Sequence, residues 1–175
     1  MREIEWKLLS ELMKNSRKSD RELAKVIGSS QPTVTRARTK LEREGYIKEY
    51  TMIPDFAKLG YQIMALTFVK TELGFTKEAI EKTRNAIRKR IRDTPMDLVM
   101  LERGKGMKYD GVVISLHKTY ECFNKLRDRL KQYPFVQYDT DSFLISLHDE
   151  NRYLPLTLRM LADHFSKTTE KEEKR

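Results

Sequence analysis

Residues 30–43 carry hydrogen-bonding and cationic side chains of the types that contact nucleic acid. The run reads SQPTVTRARTKLER, and its first acidic residue is Glu42. Amide, hydroxyl and guanidinium groups can bond base edges, while lysine and arginine can also neutralise phosphates. Gln31 could pair with adenine and Arg36 with guanine. The predicted DNA-contacting residues are Ser30, Gln31, Thr33, Thr35, Arg36, Arg38, Thr39, Lys40 and Arg43.

The apolar residues around this run predict two short helices that cross at a tight turn. Gly28 ends the first helix, because glycine readily adopts the left-handed conformation, and Ser30 caps the second. The inward positions are Leu23, Ala24 and Ile27 in the first helix and Val34, Ala37 and Leu41 in the second. This is the helix-turn-helix spacing, in which the second helix enters the major groove. A structural αα-hairpin has the same helical pattern, but the polar outer surface favours DNA binding.

The composition is basic and lacks the marks of a membrane or disulfide-bonded protein. The chain has 175 residues, with 35 Lys and Arg against 26 Asp and Glu, giving a formal charge of +9. This charge favours polyanionic partners without separating DNA from RNA or a membrane surface. The single cysteine, Cys122, cannot form an internal disulfide, and no apolar run approaches the roughly 18 residues of a membrane span. We therefore expect a cytoplasmic protein that is not inserted in a membrane.

The first part of the chain is predicted to be a winged helix-turn-helix domain over residues 1–53. A helix over residues 4–14 precedes the crossing pair, and alternating polar and apolar residues at 46–53 predict a strand of the wing. Lys48 in that strand could contact phosphate or could equally be a solvated edge residue. Residues 54–60 are expected to be a short linker.

The second part, residues 61–150, is predicted to have ferredoxin-like order, which makes the whole chain an α+β protein. The predicted elements are a strand at Ile63–Val69, a helix at Lys77–Arg92, a strand at Met96–Glu102, a loop at Arg103–Lys108, a strand at Gly111–Leu116, a helix at Tyr120–Gln132 and a strand at Val136–His148. This is the order β-α-β-β-α-β. The first strand is apolar on both faces, so a second subunit is expected to cover one of them.

Residues 151–166 are predicted to form an extra C-terminal helix, with Leu154, Leu158, Leu161 and Phe165 on one face. Residues 167–175 form a charged tail that is expected to fray.

The segment from Leu23 to Tyr61 resembles the DNA-binding half of the Lrp/AsnC family. Its most specific part is GSSQPTVTRARTKLEREGYI. The second half is similar in element order and length to the effector domain of that family, called RAM. The resemblance implies a transcriptional regulator that binds pseudo-palindromic double-stranded DNA as a homodimer, with octamers also formed in the family. The highly charged composition is compatible with an archaeal or thermophilic source.

The resemblance also implies regulation by a small molecule, commonly an amino acid, bound near the loop between the second and third strands. Family members usually carry a Gly-x-x-Asp turn there, whereas this chain has the longer segment Gly104–Asp110. Tyr109 and Asp110 are the candidate effector-binding residues. A regulator without any ligand, whose second domain serves only to dimerise, is an open alternative.

An enzyme is the other alternative. The sirohaem decarboxylases are similar to this chain in their two-domain architecture. If the chain were such an enzyme, His117 or His148 could face a tetrapyrrole. The three histidines are widely separated and no cysteine lies beside them at metal-ligand spacing. The cationic outer face of the second helix favours the regulator. We therefore predict no catalytic residues, no metal and no cofactor.

Overall fold

The computed structural model describes residues 1–71, 77–93, 97–132 and 136–172, which separate into two compact units. One unit, here the helical unit, comprises Met1–Pro54 and the C-terminal segment from Arg152. The other, here the sheet unit, comprises Asp55–Asn151. Met96 of the second predicted strand and residues 173–175 of the predicted tail lie outside the described residues.

Six helices and four strands are described. In chain order they are α1 (Glu3–Lys14), α2 (Asp20–Ile27), α3 (Gln31–Arg43), β1 (Ile63–Thr71), α4 (Lys77–Asp93), β2 (Leu98–Gly106), β3 (Tyr109–His117), α5 (Tyr120–Lys131), β4 (Val136–Ser146) and α6 (Arg159–Glu172). The order β-α-β-β-α-β of the sheet unit agrees with the prediction. Over the described ranges, no helix combines the length and the apolar character that crossing a bilayer requires.

The helical unit is built around an apolar core shared by α1, α2 and α3. The buried core residues are Leu8, Leu12, Leu23, Ala24, Val34, Ala37 and Leu41. Five of these are among the six predicted inward positions of α2 and α3, and the sixth, Ile27, packs against the core while partly buried. Gly28 adopts the left-handed conformation (φ 74°) between the two helices, as expected for a turn glycine. The crossing pair is therefore confirmed.

The C-terminal helix differs from its prediction in its bounds. It begins at Arg159 rather than near residue 151 and continues to Glu172, into the predicted tail. Pro155 explains why the helix does not run through Leu154, because proline disfavours the helical conformation in the residue before it. The helix packs on α1: Ser10 Oγ donates to the Ala162 carbonyl oxygen at 2.8 Å, and the Trp6 and Phe165 rings meet edge to face at 5.3 Å.

The strand predicted at residues 46–53 is not formed. The chain there lacks β-ladder pairing, and Tyr46 N–H donates to the Leu41 carbonyl oxygen, closing the end of α3. Ile47 packs on the helical core and Tyr50 bonds Glu42 of α3. The alternating pattern therefore does not produce a strand here, because a strand also needs a neighbouring strand to pair with.

The sheet unit contains one antiparallel sheet in the order β2-β3-β1-β4. One face carries the buried residues Ala65, Thr67 and Val69 of β1. Val69 and Val113 pack with Leu126 and Leu130 of α5, and Ile87 of α4 adds to this cluster. Helices therefore cover this face.

The opposite face of the sheet is apolar and only partly covered within one chain. We call this the open sheet face; it contains Met64, Leu66 and Phe68 of β1, Ile114 of β3, and Phe143 and Ile145 of β4. Leu66 pairs with both Ile114 and Phe143, which places the three side chains on one face. Phe143 is 65% exposed. The prediction that β1 is apolar on both faces is confirmed.

The predicted loop Arg103–Lys108 is instead the end of β2 followed by a two-residue turn. Met107 and Lys108 form the turn with φ of 48° and 68°, and Gly106 pairs with Tyr109. Turns of this kind favour Asn-Gly, so glycine would be expected in the turn itself. Here Gly104 and Gly106 lie in the strand, and two residues other than glycine make the turn. Tyr109 and Asp110 are consequently buried residues of β3 and not loop residues.

Candidate nucleic-acid interface

Helix α3 begins with a well-formed cap that leaves its first turn free of negative charge. Ser30 Oγ accepts a hydrogen bond from the Thr33 backbone N–H at 3.4 Å, and the Ser30 and Thr33 hydroxyls lie 2.8 Å apart. Pro32 occupies the first turn, where its missing N–H costs no helical hydrogen bond. With no acidic residue in that turn, the partial positive charge of the helix N-terminus is available to an anion.

The exposed side of α3 is polar and cationic, as predicted. Gln31, Arg36, Thr39 and Arg43 are exposed on it, and Arg43 is 75% exposed in side-chain area. Among the described residues, Gln31, Arg36 and Thr39 have no side-chain hydrogen bond or ion pair within the chain. Their polar groups can therefore bond an external partner without first breaking an internal contact.

Arg38 has a role within the protein that the sequence did not predict. Its Nε lies 2.8 Å from Asp20 Oδ1, and a terminal nitrogen donates to the Lys18 carbonyl oxygen at 3.2 Å. The guanidinium carbon also lies 5.7 Å from the centre of the Tyr50 ring. Arg38 thus ties α3 to the start of α2, whereas the sequence suggested that it neutralises a phosphate.

The same carboxylate holds Thr35. Thr35 Oγ1 donates to Asp20 Oδ2 at 2.6 Å, so the two oxygens of Asp20 serve two residues of α3. Asp20 carried no signal in the sequence beyond its suitability for a helix start. Its partners lie on another element, which is why spacing along the chain did not identify it.

Lys40 is shared between solvent and a buried carboxylate. Its Nζ donates to Glu5 Oε1 at 2.9 Å, and the Glu5 side chain is fully buried. Burial alone would raise the pKa of Glu5, but hydrogen bonds from Arg2 and Lys40 outweigh it and lower the pKa to about 2. Lys40 therefore neutralises a charge inside the protein, in addition to any charge outside it.

Tyr50 anchors the segment that follows α3. Its hydroxyl donates to Glu42 Oε1 at 2.6 Å, and burial together with this bond raises the pKa of Tyr50 to about 12. The acidic side chain nearest the end of α3 is thereby held by an intramolecular partner. Lys48 is exposed in this segment, and its contact with phosphate stays a prediction.

The two candidate effector residues lie in the sheet unit. The Tyr109 ring stacks on Phe68 at 6.0 Å, and its hydroxyl donates to Asp141. This bond raises the pKa of Tyr109, with a further contribution from burial. Asp110 is 5% exposed. Tyr109 borders the open sheet face, since its ring stacks on Phe68 of that face, and Asp110 is the next residue of β3.

A separate cavity of about 180 Å³ lies where α5 meets the ends of β2 and β3. Asp97, His117, Lys125 and Arg129 contribute its polar groups. His117 Nε2 lies 2.8 Å from Ser115 Oγ, and burial lowers the pKa of His117 although Asp97 partly offsets the effect. The described residues contain no group of three His, Cys, Asp or Glu arranged to hold a metal ion.

Comparison with known proteins gives matches to regulators over most of the chain. Residues 1–48 match a family model described as winged helix-turn-helix DNA-binding. The transcriptional regulator FL11 of Pyrococcus horikoshii is 27% identical over 154 residues, covering 88% of this chain and 95% of FL11. The uncharacterized regulator PF1734 of Pyrococcus furiosus is 30% identical over 123 residues, covering 70% of this chain and 76% of that protein.

Solved structures give the same result. Bacillus subtilis LrpC is 26% identical and superposes with a TM-score of 0.66, covering 83% of this chain and 94% of LrpC. The regulator NMB0573 of Neisseria meningitidis, solved as a complex with L-Met, is 21% identical with a TM-score of 0.69, covering 92% of this chain and 99% of that one. The latter likeness concerns the fold.

Proposed function

The chain belongs to the Lrp/AsnC family of helix-turn-helix transcriptional regulators, and from this we propose that it reads a pseudo-palindromic operator with α3 in the major groove. The observation that carries the proposal is the exposed face of α3. Gln31 and Arg36 offer an amide and a guanidinium that have no partner among the residues the structure describes, suited to adenine and guanine respectively. Thr39 and Arg43 extend the same face along the helix.

The proposed contacts differ in kind. Gln31, Thr35 and Arg36 lie in the first half of α3 and are assigned to base edges. Arg43 is assigned to phosphate. Ser30 and Thr33 are assigned to the phosphate that meets the helix N-terminus, where backbone N–H groups add to their hydroxyls. Lys40 contributes charge while remaining bound to Glu5, and Arg38 acts by supporting α2 and α3.

We further propose that two copies associate through the open sheet face. A large apolar surface exposed on one chain is characteristic of an interface. Phe143 is the most exposed apolar residue of this face, at 65%. Further assembly to an octamer stays a prediction. A two-fold dimer would present two α3 helices, which is the origin of the expected operator symmetry.

Regulation by an amino acid or another small molecule is also a proposal. It is supported by the fold shared with NMB0573, which was solved with L-Met. Tyr109 and Asp110 stay the candidate residues, and their position beside the open sheet face would put a ligand close to the second copy. L-Met is a suitable first probe: a saturable rise in the unfolding temperature would support an effector site, and its loss in Asp110→Ala would support the location.

In vitro selection of bound DNA by the full chain tests the proposed function. We expect an enriched site with two-fold symmetry, whose half-sites are about one helical turn or a multiple of it apart. Affinity should fall steeply and linearly in log[salt], because lysine and arginine displace counterions from phosphate. Absence of an enriched sequence, or a site without symmetry, would contradict the proposal. The names of the relatives favour this function over the enzyme considered as an alternative.

A further inference from the structure

We infer that Thr35 reads an amino group on a base, adenine or cytosine, and does not bind phosphate, because Asp20 takes its only proton. The inference rests on the proposed placement of α3 in the major groove. Thr35 Oγ1 donates to Asp20 Oδ2 at 2.6 Å, within the range of hydrogen bonds between a hydroxyl and a carboxylate. Thr35 is nevertheless an exposed residue of α3, and its hydrogen bond to Asp20 lies at the surface.

The hydrogen-bonding capacity of a hydroxyl leads to this specificity. A threonine hydroxyl has one proton and two lone pairs, so after donating to Asp20 it can only accept. Phosphate oxygens also only accept, and the nearby negative charge of Asp20 repels them. In the major groove the donors are the adenine N6 and cytosine N4 amino groups. Guanine and thymine offer acceptors on their major-groove edges and cannot donate to Thr35.

Asp20 is held in the geometry that this role needs. Its other oxygen lies 2.8 Å from Arg38 Nε, and Arg38 is fixed in turn by the Lys18 carbonyl oxygen and the Tyr50 ring. The side chains of Asp20 and Arg38 are each only 20% exposed. Asp20 is therefore a positioning residue, which sets the direction of the Thr35 hydroxyl without reaching DNA itself.

Thr39 provides an internal contrast. It is exposed one turn further along α3, and its hydroxyl makes no hydrogen bond with another described residue. Its proton is free to be donated, so Thr39 can bind either a phosphate or a base acceptor. Two threonines on one helix face thus differ in what they can recognise, although the sequence gives no sign of the difference.

The test measures binding of the full chain to the selected operator and to every single-base-pair variant of it. For Thr35→Val, which keeps the shape and removes the hydroxyl, we expect the preference for A or C over G or T at one position of each half-site to fall about tenfold. Thr35→Ser should keep the preference, since serine retains the hydroxyl that donates to Asp20 and accepts from the base. Asp20→Ala should relax it toward G or T, because the hydroxyl regains a donor role.

Three results would overturn the inference. Thr35→Val could weaken binding to all operator variants equally and reduce the salt slope, which would indicate a phosphate contact. Asp20→Ala could leave the base preference unchanged while the variant unfolds like the wild type, which would remove the positioning role. A wild-type protein that prefers no DNA sequence would contradict the proposed function as well. This outcome can be told apart from one in which the wild type is sequence-specific and only the assignment of Thr35 fails.

Discussion

At the scale of single residues, two arginines two positions apart on α3 have different tasks. Arg36 is exposed and has no intramolecular partner among the described residues, whereas Arg38 forms an ion pair with Asp20 and donates a hydrogen bond to the Lys18 carbonyl oxygen. Sequence alone placed both on the DNA-contacting surface. Helical spacing identifies which residues of α3 face outward. It does not show that Asp20, on another helix, pairs with Arg38.

Alanine variants separate the two tasks. Arg36→Ala should weaken binding to the selected operator by about 1–3 kcal/mol, relax the preference at one base position and leave the unfolding temperature unchanged. Arg38→Ala should instead lower the free energy of unfolding by about 2 kcal/mol, because it leaves Asp20 without its cationic partner. Gel-shift titration and chemical denaturation of both variants make the comparison. Equal effects of the two variants on both measurements would contradict the assignment.

Glu5 links the DNA-contacting helix to acid stability. Its pKa in the folded state is about 2, below the value of 4.5 for an unperturbed glutamate. The carboxylate therefore stabilises the fold above pH 4.5, and this stabilisation is lost as the pH falls toward 2. We expect Glu5→Gln to cost about 2–3 kcal/mol at neutral pH and to flatten the loss of stability in acid.

Denaturation curves between pH 7 and pH 2.5 measure this effect. Glu3→Gln is the matched control, because Glu3 lies on the same helix in an exposed pair with Lys7 and should contribute little. A Glu5→Gln protein with the same pH dependence as the wild type would show that the buried carboxylate is not responsible.

At the scale of elements, the sequence predicted what local signals determine. The end of α2 follows from Gly28 as the turn and the start of α3 from Ser30 as the cap, together with the apolar spacing, all within a few residues of each helix. The strand at residues 46–53 and the loop at 103–108 failed for non-local reasons. A strand requires a partner elsewhere in the chain, and the β2–β3 register decides which two residues make the turn.

The packing of α6 on α1 could not be predicted from the sequence, but the only tryptophan of the chain makes it measurable. Phe165→Ala should shift Trp6 emission to longer wavelength and lower the free energy of unfolding of the helical unit by about 1–3 kcal/mol, because the ring contact is lost. Met160→Ala is the control, since Met160 lies on the same helix but is 62% exposed. An unchanged emission spectrum in Phe165→Ala would contradict the packing.

At the scale of the whole molecule, the open sheet face is the surface through which we propose that two copies associate. Its apolar character was predictable, since two-sided alternation in β1 is a local pattern; the exposure of Phe143 required the structure. The proposed regulator needs two copies to read a symmetric operator. A variant that cannot associate should therefore also lose affinity for the operator.

Phe143→Asp tests this coupling. We expect the variant to behave as a monomer in size-exclusion chromatography with light scattering, because a carboxylate cannot be buried against a second apolar sheet. Operator affinity should drop by at least tenfold while the fold stays intact, as Phe143 is already exposed in one chain. Tyr120→Asp, at an exposed site on α5 of the same unit, should remain a dimer. A dimeric Phe143→Asp protein would place the interface elsewhere.

The packing of α6 on α1 also sets the order in which the protein can be completed during translation. Helices α1 to α3 leave the ribosome before the sheet unit, which follows as a continuous segment. The residues that cover α1 around Trp6 and Ser10 lie beyond the sheet unit in the chain, so this contact can form only after the sheet unit has been synthesised. The sheet unit of a nascent chain can thus be complete before α6 packs on α1.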